Sequence, residues 1–95
     1  MIENFLSKMA EDLYHGVNSK HSRKLSTHLH PKAKRLLDQL NNATKLSTLR
    51  VPSCNKLVKL TGNLSEFWQI KINEQWAIIF KWDPDHSKAL EVHLI

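Results

Sequence analysis

The chain has 95 residues, of which 41% are hydrophobic and 24% charged, with two glycines and three prolines. That length supports one packed core but not two, and the composition excludes a disordered, low-complexity or collagen-like chain. A formal charge of +5, with apolar runs of only a few residues, leaves no transmembrane helix and favours a polyanionic partner over a membrane.

In chain order, Ile2 and Phe5 are too few to distinguish a short strand from a loop. Glu3 interrupts the opening segment, so no secretory leader is expected, and a single cysteine, Cys54, fits a reducing cytoplasm. Ser7 is placed to open a helix whose apolar side is Met9, Ala10 and Leu13, with Tyr14 beside them. Gly16 supplies its stop, because glycine accepts the left-handed backbone of a helix terminus. Residues 17–30 are polar and weakly periodic, a connection with room for a helical turn. The main helix is predicted to start near Pro31, whose missing N–H costs nothing in a first turn. Ala33, Leu36, Leu37, Leu40 and Ala43 recur at helical spacing. Lys32, Lys34, Arg35, Asp38 and Asn42 fall elsewhere around the cylinder. Residues 45–49 allow one more turn before Pro52 stops the helix.

Beyond Pro52 the pattern changes to strands. Residues 56–60 read as a short strand closed by Gly62 and Asn63. Residues 67–72 and 76–82, rich in aromatic and branched side chains, form a hairpin across Asn73, Glu74 and Gln75. Asp83, Pro84 and Asp85 make a turn into a last strand at 89–95. Helices followed by a strand meander predict an α+β domain, its N-terminal helices packed on one face of a small, mainly antiparallel sheet. Period-two alternation puts Trp68, Ile70 and Ile72 on one side with Trp76, Ile78 and Phe80, facing the helix leucines. The other side carries Gln69, Lys71, Ala77, Ile79 and Lys81. That side is as consistent with a phosphate surface as with an ordinary solvated face.

The charge is unevenly spread. Residues 18–60 hold ten basic side chains against Asp38 alone, a local +9, while the remainder carries −4. Such a block suits phosphate contacts, which release counterions, although a solvated basic helix face remains the alternative.

The six histidines lack the spacing of a zinc site, and two glycines cannot build a phosphate loop, so no metal or cofactor is expected. A pairing of Cys54 with one of six histidines is too unspecific to carry weight. Trp68 and Trp76 read as core residues, and Trp82 is open. Metal-free ribonuclease chemistry remains available, with Lys71 and Lys81 as cations. It needs a base, an acid and a cation on the pentavalent transition state, and no acid–base pair stands out beside those lysines.

A family resemblance goes further. Arg50 to Ser53, then Leu57 to Asn63, Phe67 to Trp76 and Phe80 to Trp82 resemble the HigB branch of the RelE-like toxins. Phe5, Leu13, Gly16, Ala43 and Thr44 also fit, so the resemblance spans essentially the whole chain. It implies a type II toxin that cleaves mRNA in the ribosomal A site. It also implies a helix-turn-helix antitoxin, through which alone the toxin reaches operator DNA. In that reading Lys32, Lys34, Arg35, Arg50, Lys56, Lys59 and Lys81 are candidates for contact with RNA or the ribosome, and Lys71 matches a basic family position. Two departures stand out. Ala77 occupies the position of a family arginine that steadies the transition state, and the Asp-Tyr-His tail of the family pattern is not matched. Ala77 therefore reads as an attenuating substitution. The alternatives are a catalytically silent antitoxin-binding module and a stand-alone RNA-binding domain.

Overall fold

Ser7 adopts an extended backbone, and its hydroxyl accepts the Ala10 N–H at 3.2 Å, so the first helix, α1 (Lys8–His15), starts where its capping residue stands. Gly16, at φ +71°, ends it, and Val17 N–H returns to the Asp12 carbonyl at 2.9 Å. The computed structural model describes residues 1–50 and 57–95, except for the side chain of Arg50.

The polar connection contains two short 3-10 turns, Ser22–Lys24 and Thr27–Leu29. Between them Leu25 is completely buried, and the His30 ring donates from Nε2 to the Leu25 carbonyl at 2.9 Å. Asp12 and Ser22 are buried with it. The Ser19 hydroxyl donates to Asp12 at 2.6 Å, and Ser19 and Ser22 each accept the other's backbone N–H. Helix α2 (His30–Asn42) follows with Pro31 in its first turn and turns Ala33, Leu36, Leu37 and Leu40 inward. The extra turn after it is a 3-10 segment, Leu46–Arg50.

Four strands follow: β1 (Val58–Lys59), β2 (Phe67–Lys71), β3 (Ala77–Asp83) and β4 (Lys88–Leu94), antiparallel in the order β1-β2-β3-β4. Of the residues expected for the first strand, Lys56 lies outside the described residues, and among 57–60 only Val58 and Lys59 pair as strand. The N-terminal segment, ambiguous in sequence, lies parallel to β4 through bridges Ile2–Ala89 and Phe5–Val92. Asn41, at the end of α2, accepts the Ile2 N–H at 2.9 Å and ties this segment to the helix layer.

One irregularity shapes β4. Its pairing with β3 shifts register between Ile79 and Lys81, and Glu91 sits at φ +52°. A bulge of this kind leaves a backbone donor without a ladder partner. Here the Asn4 side chain accepts the Glu91 N–H at 2.8 Å.

Both helices cover one face of the sheet. The core joins Leu13, Leu36, Leu37 and Leu40 to Ile70, Ile72, Ile78, Phe80, Ala89 and Val92, as the alternation predicts. Trp68, Trp76 and Trp82 pack around this core while remaining half-buried. Among the described residues the other face carries no helix, and it positions the candidate site.

Candidate functional site

On the helix-free face the strand register arranges side chains in rows. Gln69, Ile79 and His93 form one row across β2, β3 and β4. Lys71 and Ala77 form the next, extended by Ile95, which exchanges two backbone hydrogen bonds of 2.9 Å with Ala77. Phe67 faces Lys81 in the third.

Ile79 is fully buried although no helix covers this face. The Phe67 and His93 rings meet edge to face with centroids 5.6 Å apart. They belong to strands on either side of β3, about 10 Å apart from each other, so their contact must pass above β3. The two rings close over Ile79.

Lys81 is not a free cation. Its ammonium lies 2.7 Å from Glu91 and 3.3 Å from Glu66, and 5.3 Å from the centre of the Phe67 ring. The Glu91 carboxylate first, then Glu66, holds its proton more firmly than in an isolated lysine. Lys81 thus works as a staple between the loop before β2 and the bulge of β4. Lys71 is more loosely engaged, 3.7 Å from the highly exposed Glu74 carboxylate.

Lys71 and Ala77 line a cleft of about 200 Å³ together with Gln69, Asn73, Trp76 and Ile95. Its floor is the β2–β3 turn, where Asn73 Oδ1 accepts the Gln75 and Trp76 N–H groups at 2.9 and 2.7 Å. This local hydrogen bonding fixes the turn without glycine. The cleft therefore sets a weakly paired lysine beside a small side chain.

The other expected cations lie elsewhere. Lys32, Lys34 and Arg35 project from the solvent side of α2, so the sheet lies between them and the cleft. Lys34 pairs with Asp38 at 3.3 Å and also lies 5.7 Å from the Tyr14 ring centre. Lys59 faces Trp68 across β1–β2, its ammonium 5.1 Å above that ring, on the helix-bearing side. The Arg50 side chain, Cys54 and Lys56 lie outside the described residues. Lys32, Lys34, Arg35 and Lys59 of the basic block thus do not converge on Lys71 and Lys81.

Sequence reasoning missed His93 on the helix-free face. It also missed Glu66 and Glu91 as partners of Lys81. Among the described residues no group of three side chains could hold a metal ion, and no helix is long and apolar enough to cross a membrane.

Two helices packed on one face of a four-stranded antiparallel sheet are consistent with the α+β fold of the RelE-like toxins, and family comparison supplies the class. Residues 3–94 match the HigB-like toxins, the RelE-like toxins of the type II toxin–antitoxin system HigB, and the chain belongs to that family. It is similar to Toxin HigB-1 of Vibrio cholerae serotype O1 (strain ATCC 39315 / El Tor Inaba N16961). The two are 32% identical over 82 residues, 86% of this chain and 84% of that protein. Membership makes the chain a toxin and implies an antitoxin partner.

Proposed function

We propose that this toxin is a metal-independent endoribonuclease that cuts mRNA on the ribosome, weakened by alanine at position 77. The observation that carries the reading is the cleft in which Lys71 and Ala77 stand in register on the open sheet face. Cleavage by the 2′-hydroxyl builds negative charge on a pentavalent phosphorus. A cation held ready there lowers the barrier because little reorganisation accompanies the charge build-up. Lys71 supplies one such cation. An arginine at 77 would add a forked donor suited to phosphate oxygens, and the cleft leaves room for it.

In the same proposal the cations Lys32, Lys34, Arg35 and Lys59 meet ribosomal RNA phosphates from the helix side, and Arg50 and Lys56 also contact RNA. Lys81 braces the site from within. The toxin works in the cytoplasm, restrained by a helix-turn-helix antitoxin that alone connects it to operator DNA. Ala77 also favours a second reading, a catalytically silent module retained for antitoxin binding, which predicts antitoxin capture without cleavage.

Primer extension on translating ribosomes tests the proposal. New 5′ ends within codons are expected with the chain as it stands, weaker ones with Lys71→Ala, and none on mRNA without ribosomes. Absence of new ends from both the chain and its Ala77→Arg variant would sink the ribonuclease reading.

A further inference from the structure

We propose that His93 is the base that takes the proton from the RNA 2′-hydroxyl, an inference that rests on the ribonuclease reading above. In sequence the histidine stands alone, but the register places it in the row beside Lys71 and Ala77. Strand spacing puts the Lys71 and His93 Cα atoms roughly 12 Å apart across β3. Both residues stand on the same helix-free face, His93 one row away from the cleft that Lys71 lines.

The ring is held in one orientation. Its Nδ1 lies 2.8 Å from the Glu91 carbonyl oxygen, which can only accept, so Nδ1 carries the hydrogen. In the neutral ring Nε2 then presents its lone pair. A base must be in this state to act, and a backbone carbonyl that selects the tautomer is a recurring way to prepare it. The edge contact with Phe67 fixes the ring plane, and completely buried Ile79 lies beneath. The bulge at Glu91, stitched by Asn4, sets the carbonyl that orients the ring.

The step balances as follows. Nε2 takes the 2′-hydroxyl proton, the 2′-oxygen bonds to phosphorus, and the bond from phosphorus to the 5′-oxygen breaks. The leaving oxygen takes a proton from water, and the imidazolium returns its own to the hydroxide formed. The products are a 2′,3′-cyclic phosphate and a 5′-hydroxyl. Lys71 faces the phosphoryl oxygens during the step. The charged groups around the imidazole are Glu91 on its own strand, Lys81 on β3, Lys71 on β2 and Glu66 before β2.

The experiment uses the full chain carrying Ala77→Arg, in single-turnover cleavage on programmed ribosomes. His93→Phe keeps an aromatic edge against Phe67 and a cover over Ile79 but has no Nε2. The expected result is a loss of about 10²-fold or more in rate. Retention of the rate overturns the role of His93. If Ala77→Arg alone yields no cleavage, the ribonuclease reading fails and takes this role with it. A measurement independent of any variant is ¹⁵N spectroscopy of the imidazole at neutral pH. A proton on Nδ1 with Nε2 bare is expected, and the opposite tautomer overturns the assignment.

Discussion

Restoring a cation at position 77 separates a weakened enzyme from a silent module. Ala77 is 6% exposed, at the start of β3, hydrogen-bonded through its backbone to Ile95 and facing Lys71 across the ladder. An arginine there extends into the cleft of about 200 Å³ without displacing the helix-side core. Loss of one preorganised donor at a developing charge costs about 10²–10³ in rate, so Ala77→Arg is expected to raise cleavage by that factor. The structure predicts an accompanying cost in stability. Two cations about 4 Å apart in a wet cleft repel by about 1 kcal/mol. For a domain of this size that lowers the melting temperature by roughly 5 °C. An anion between the two charges should return much of that loss, so phosphate should raise the melting temperature of the variant more than that of the parent. Cleavage on programmed ribosomes, growth arrest under a titratable promoter and thermal melts with and without phosphate read these effects. A folded variant with unchanged cleavage and no phosphate response would show that position 77 is not where activity was lost.

Two further expectations concern the scaffold. Leu25→Ala opens a cavity beneath the polar connection and should cost about 2–5 kcal/mol, read as a fall of roughly 10–25 °C in the melting temperature. A fall under about 3 °C would mean that Leu25 is not part of the core. The Asp12 carboxyl is held below its ordinary value by the Ser19 hydroxyl first and by Lys8 as well. A depressed folded value means that its stabilisation is complete above about pH 4 and fades as pH falls through that lower value. Asp12→Asn should therefore lower stability at neutral pH and flatten the acid side of a melting-temperature profile, and an unchanged profile would count against that role.

What was legible in the sequence was local chemistry. Ser7 and Gly16 bound α1 because a cap and a left-handed stop are properties of single residues. The β2–β3 hairpin was legible because alternation has a period of two and Asn73 closes the turn with its own side chain. Features that depend on a partner distant in sequence were not legible. Leu25, flanked by Lys24 and Ser26, has no apolar rhythm around it, and only the docking of the connection against the helices buries it. Ile2 and Phe5 pair with β4, more than 80 residues away in sequence. His93 required the β3–β4 register and its bulge, and neither is written in the composition of residues 88–94. The charge block is contiguous in sequence, but Lys32, Lys34 and Arg35 stand on the helix layer, while the cleft draws on Lys71 from outside the block.

The parallel seam between the N-terminal segment and β4 also has a practical bearing on fusions. The amino terminus rests against the Ser87 carbonyl at 3.1 Å, at the β3–β4 turn, and Ile95 lies at the other end of β4 beside Ala77. The seven residues of β4 separate those points, a span of about 23 Å. A tag joined after Ile95 would leave the surface at the mouth of the cleft. One joined before Met1 would emerge a strand-length away, which makes amino-terminal labelling the safer choice for every assay above.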